Sequence, residues 1–101
     1  MKALLVNASE KNIKQIDIAG KSEIIDLIGY ETVISDEIEA GGDLLFFDEE
    51  CFLRGAEGRF QLDNLIPVSG FGVIIGSDAD GTLQDCQLDE ASAAKRIKFL
   101  D

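Results

Sequence analysis

Apolar residues recur along this chain at two spacings, and the changes between them mark out its elements. Residues 2–8 carry an apolar run centred on Leu4, Leu5 and Val6. A polar stretch, Asn7-Ala8-Ser9-Glu10-Lys11-Asn12, follows. Ile13, Ile16 and Ile18 then fall among Lys14, Gln15 and Asp17. Two strand-like runs joined by a polar turn predict a hairpin. Beyond Gly20 the period lengthens, with Ile24, Leu27 and Ile28 at i, i+3 and i+4. That spacing predicts a helix over 22–28, with Ser22 as the N-cap, Glu23 in the first turn and Gly29 as the terminator. Two helical turns are unstable alone, so this helix needs a sheet to pack on.

The β-branched run Thr32-Val33-Ile34 and the apolar segment Asp43–Asp48 predict a second hairpin across an acidic loop at 36–42. Asp48-Glu49-Glu50-Cys51 turns the chain, and Phe52, Leu53, Phe60, Leu62 and Leu65 are expected in the core of a mostly irregular segment. Val68 to Gly76 is the strongest strand signal, set off by Pro67. Ser77-Asp78-Ala79-Asp80-Gly81 is a turn cluster, with Thr82–Gln87 as the return strand. Asp89 caps a short helix through Lys95, and Arg96–Leu100 reads as a last strand. Helices this few beside strands this hairpin-like exclude a doubly wound α/β fold. The expected class is α+β, a mostly antiparallel sheet built from hairpins with one or two short helices on one face.

Composition narrows the chemistry. At 101 residues the chain is expected to be one domain, 1–101, with no room for a second core or for walling off a large cofactor. It has no histidine, which excludes histidine-based nucleophilic catalysis and histidine metal sites. Cys51 and Cys86 are too few and too far apart for a thiolate zinc site. The opening MKALLVNASEKN has no signal-peptide core and no stretch is long enough to span a membrane, so a cytoplasmic location with reduced thiols is expected.

Charge changes the picture most. The net charge is -11, and it is unevenly spread. Residues 22–94 hold 17 acids against Arg54 and Arg59 alone, while both ends of the chain are mildly basic. Such a surface repels nucleic acid and anionic membrane and attracts a basic protein. It also keeps an apolar-rich domain in solution, which alone could account for it.

The motifs that resemble reactive sites lack their context. The glycines of Gly70-Phe71-Gly72-Val73-Ile74-Ile75-Gly76 lie within a strand signal, with no helix N-terminus to hold a phosphate, so close backbone packing is expected. Asp78-Ala79-Asp80-Gly81 has part of an EF-hand pattern, but its positions 1 and 12 would be Gly76 and Gln87. Asp48, Glu49 and Glu50 disfavour a thiolate at Cys51, and no base stands near in sequence to activate it. Cys51 and Cys86 are therefore expected as small apolar fillers. Carboxylate pairs could serve a divalent-metal hydrolase, but 20 acids in 101 residues make close pairs inevitable. No catalytic residue, cofactor or metal site is expected.

The segments MKALLVN, IDIAG, EIIDLIG and above all IPVSGFGVIIGSDADG occur here in the order that resembles the domain of unknown function 3846 family. The resemblance spans nearly the whole chain. It implies a small intracellular protein of the kind encoded by phages, plasmids and their bacterial hosts, and it carries over no catalytic residue. With the charge, it leads us to expect an interaction or regulatory protein, in the sharpest form a mobile-element inhibitor that binds a basic partner. The expected contact residues are Asp36, Glu37, Glu39, Asp43, Asp48, Glu49 and Glu50, with Arg54 and Arg59 as anchors or as local ion pairs. The alternatives are the carboxylate hydrolase and a structural domain acting only in an oligomer.

Overall fold

Apolar side chains on alternate positions of the strands point to opposite faces of one large sheet, and each face is covered by something different. The structure, a computed structural model, describes residues 1–39 and 41–100; Ala40, in the acidic loop, lies outside them. Strands β1 (Lys2–Asn7), β2 (Asn12–Asp17), β3 (Val33–Glu37), β4 (Asp43–Asp48) and β7 (Phe71–Ser77) lie in the order β2-β1-β7-β4-β3, all antiparallel. A short strand, β8 (Leu83–Gln84), pairs with the end of β7. The strands β5 (Arg59–Leu62), β6 (Val68–Ser69) and β9 (Ile97–Leu100) form a second sheet, ordered β6-β5-β9.

Helix α1 (Lys21–Ile28) covers one face of the large sheet, with Ile24 and Ile28 against Ala3, Phe46, Val73 and Ile75. The other face carries Leu4, Val6, Leu45, Phe47 and Ile74. These pack against Phe60, Leu62, Val68 and Ile97 of the second sheet and Ala93 of helix α2 (Glu90–Arg96). The molecule is thus α+β in three layers, and β7 is buried on both faces. That explains why its sequence is continuously apolar rather than alternating.

At Gly72 the layers come close together. A β-carbon there would lie 2.6 Å from Cζ of Phe60, so the missing side chain is what lets the Phe60 ring lie on β7. At Gly70 φ is +84°, and the chain bends there from the small sheet into the large one. The single strand expected over 68–76 is therefore two strands in different sheets.

Other expectations change in detail. Gly20, not Ser22, occupies the N-cap of α1, and no side chain caps it. Glu23 instead reaches back to accept from the Ala19 N–H at 3.0 Å. Gly29 ends α1 in the left-handed conformation, as expected. Asp89 caps α2, accepting from the Ser92 N–H at 2.7 Å. Asp36 and Glu37 belong to β3 rather than to a loop. Phe52 and Leu53, expected in the core, form a 3-10 turn and are 50% and 79% exposed. The return strand is only two residues long, because β1 takes the same edge of β7 from Ile74 onward; Asp78 draws the preceding 78–82 turn around its own carboxylate, accepting from the Asp80 and Thr82 N–H groups. No helix among the described residues is long and apolar enough to cross a membrane.

Candidate partner-binding surface

The seven acids singled out by charge divide into two groups once folded, with Glu50 apart from both because it pairs with Arg54. Asp43 and Asp48, at the two ends of β4, are 2% and 3% exposed. Asp43 accepts from the backbone N–H of Gln87 at 2.8 Å and of Leu88 at 3.0 Å, tying the loop before α2 to the sheet. Asp48 accepts from the Thr32 hydroxyl, from the Glu50 N–H at 3.0 Å and from Arg54 Nε at 2.9 Å. Burial pushes the Asp48 carboxyl up, but the hydrogen bonds from Arg54, Thr32 and Glu50 outweigh it and hold the group below the usual carboxylate range. Both carboxylates are used inside the fold and present nothing to a partner.

Arg54 is similarly engaged. Its Nη2 donates to Thr32 Oγ1 at 3.0 Å and to Glu50 Oε2 at 3.3 Å, and its guanidinium lies 4.0 Å from the centre of the Tyr30 ring. The hydrogen bond to Asp48 keeps it firmly protonated. This cluster walls a cleft of about 570 Å³ beside Cys51, Glu57 and Phe71. Arg59 stays exposed, with its guanidinium 5.3 Å from the Phe52 ring centre. Thr32 and Tyr30 lie 22 and 24 positions before Arg54, too far for any local sequence signal to link them to it; only the Glu50–Arg54 spacing is local.

The second group is Asp36 and Glu37 on β3, Glu39 just beyond it, and Glu49 at the end of β4, opposite Thr32. Glu37, Glu39 and Glu49 are exposed and Asp36 is half-buried. Among the described residues none of the four forms an ion pair. Glu37 and Glu39 line a depression of about 690 Å³ together with Asp78. Arg96 comes close enough to donate to the Glu39 carbonyl at 3.3 Å, but its charge is matched by Asp63.

Topology separates the charges. β3 is one edge of the large sheet; β2, carrying Lys14 and following Lys11, is the other. Four strand spacings of about 4.8 Å place these edges roughly 19 Å apart. That is over twice the Debye length of about 8 Å at physiological ionic strength, so the lysines do little to neutralise the acids.

Cys51 and Cys86 are free and buried. Burial, first, and then the nearby Asp43 push the Cys86 thiol up, which disfavours the reactive thiolate. Among the described residues no three His, Cys, Asp or Glu side chains are grouped so as to hold a metal ion. The chain matches no protein-family model, no curated protein and no solved structure.

Proposed function

We propose that this protein is a small interaction or regulatory protein that binds a basic protein through the acidic β3 edge. One observation carries the reading: Asp36 and Glu37 on the β3 edge, Glu39 just beyond it and Glu49 at the neighbouring end of β4 form no ion pair among the described residues, whereas Asp43, Asp48 and Asp63 are taken up by partners within the fold. A strand edge that carries acids and no base of its own suits a basic partner. The contact set therefore contracts from the seven acids to these four. Arg54 leaves it because its donors serve the fold, and Arg59 stays as a rim contact.

The quoted N-terminal and PVSGFGVIIG segments support placing the chain in the domain of unknown function 3846 family. That placement favours a cytoplasmic setting in a phage, plasmid or bacterial host. Within it, the sharpest form of the proposal is a mobile-element inhibitor whose carboxylates occupy the place of nucleic-acid phosphates on a basic protein.

The test uses a partner captured from a host lysate at low salt. Capture alone decides nothing; the rates do. Replacing Asp36, Glu37 and Glu39 by Asn, Gln and Gln should slow association more than it speeds dissociation, because exposed charges act mainly on encounter. The wild-type association rate should fall as salt is raised, and the variant's should fall less. Equal rates with no salt slope would reduce the charge to a solubility device.

A further inference from the structure

We infer that β3 is a docking edge, to which an extended basic segment of the partner adds as a further strand of the large sheet. This rests on the acidic-edge reading and goes beyond it by naming the mode of binding. The Ile38 N–H donates to the Asp43 carbonyl, and the Glu49 N–H to the Thr32 carbonyl. In an antiparallel ladder with Val33 opposite Asp48, those two bonds set the parity of the whole strand. Thr32, Ile34, Asp36 and Ile38 turn their backbone groups toward β4. Val33, Ser35 and Glu37 turn theirs outward.

The same reasoning applied to β2 has an internal check. The Ile18 N–H donates to the Met1 carbonyl, so Ile13, Gln15 and Asp17 face outward on that edge. The outward Gln15 N–H is indeed taken from outside the sheet, by Glu90 Oε2 of α2 at 3.1 Å. One edge is thus covered by α2. On the other, no group among the described residues bonds the outward backbone of Val33, Ser35 or Glu37.

An open edge pairs with any available strand unless something prevents it, and proteins usually blunt such edges with Lys, Pro or a bulge. β3 has no Lys and no Pro, and its five residues pair in unbroken register with β4, so there is no bulge. It has Asp36 and Glu37, with Glu39 just beyond. A second copy would bring two acidic edges together, and like charges across a strand pair are destabilising. A basic strand meets the opposite situation, with backbone bonds for affinity and carboxylates for selection.

Side-chain parity sets the occupant's pattern. Val33 packs on the α1 side, so Ser35 and Glu37 share that side, while Ile34 and Asp36 take the other. An antiparallel occupant therefore needs two adjacent basic residues, one for Glu37 and one for Asp36. Two positions after the latter it needs an apolar residue to cover Ile34, which is 37% exposed.

The probe is the synthetic peptide acetyl-KTKRTVT-amide, which has this pattern. Its control is the same peptide N-methylated at the lysine opposite Glu37 and the threonine opposite Ser35. The control keeps every charge and loses two of the donors that face β3. At low salt the parent peptide should slow amide hydrogen exchange at Ser35 and Glu37, which face outward and exchange fast in the free protein. The control, and Ser35→Pro tested with the parent peptide, should each bind at least about fivefold more weakly, since each loses strand hydrogen bonds. Ser35→Pro must first show the wild-type thermal transition; if it does not, the N-methylated peptide decides alone.

The outcomes separate the two readings. If the control binds like the parent while the D36N/E37Q/E39Q variant binds both peptides weakly, the acidic edge stands and strand addition is overturned. If the triple variant binds as tightly as wild type without salt dependence, the acidic-edge reading falls and this inference with it. Failure of both peptides to bind at low salt overturns both. Protection of Ser35 and Glu37 by raising the concentration of the protein alone would identify a second copy as the occupant and overturn the inference.

Discussion

Asp43 and Glu37 are both acids of the β3–β4 hairpin, yet removing them should have unlike consequences. Asp43→Ala leaves the Gln87 and Leu88 N–H groups without their acceptor and should cost about 1–3 kcal/mol. Glu37→Gln should stay within about 0.5 kcal/mol of wild type, as surface changes usually do. Urea unfolding with an unchanged m-value checks both. Asp48 adds a pH signature. Its carboxyl titrates below the ordinary aspartate value of 3.8 when folded, so the native state binds fewer protons than the unfolded chain near that pH. Its contribution is therefore complete above 3.8 and is lost as pH falls through the lower folded value. Asp48→Asn should flatten the acid-unfolding limb below that pH relative to wild type; an equally steep limb would dissociate Asp48 from acid stability. Gly72→Ala should destabilise by about 1–3 kcal/mol through overpacking, because the added carbon meets the Phe60 ring. Close packing in the glycine-bearing strand was legible in the sequence, but the roles of Asp43 and Asp48 were not, since there they look like any other acids flanking a strand. Their burial depends on Gln87, Leu88 and Thr32, which lie 44, 45 and 16 positions away.

At the scale of the element, the parity of β3 yields a sharp contrast. Proline lacks the N–H and is tolerated in strands where that group faces solvent. Ser35→Pro removes only an outward N–H and should leave stability within about 1 kcal/mol of wild type. Asp36→Pro removes the N–H that faces Leu45 across the ladder and should cost about 1–3 kcal/mol more, for a carbonyl left without its donor. Thermal unfolding of the two variants side by side checks the assignment, and a larger loss for Ser35→Pro than for Asp36→Pro would mean the parity is reversed. The two N-terminal hairpins were readable beforehand because each is local: alternation fixes the strands and a polar or glycine-bearing stretch joins them. The second sheet was not, since β6-β5-β9 joins strands from three separate stretches, one of only two residues. Phe52 and Leu53 were misplaced for a related reason. Hydrophobicity marks what can be buried, and only the packing of the second sheet decides what is.

The whole molecule carries a net charge of -11. Such an excess works against the compact state by self-repulsion. Raising the ionic strength from about 0.01 M to about 0.15 M shortens the Debye length from about 30 Å to about 8 Å. The melting temperature at neutral pH should therefore rise over that range, as scanning calorimetry can follow. An unchanged or falling melting temperature would mean that the acids do not repel one another. The same experiment on the D36N/E37Q/E39Q variant should show a smaller salt response and a higher melting temperature at low salt. An acidic edge that costs stability makes sense where its charge is used for binding.

The order of apolar and polar residues was sufficient for the α+β class, both hairpins, the α1 stripe with its Gly29 stop and the Asp89 cap of α2, because these depend on neighbours within a few positions. The acidic excess was likewise a property of composition. Which acids are available was decided by tertiary structure: antiparallel pairing turned Asp43 and Asp48 inward to meet donors from distant segments and left Asp36, Glu37 and Glu39 on an uncovered edge. Alternation names the two faces of a strand, but only the sheet order says whether a strand has a neighbour on each side, and β3 has one.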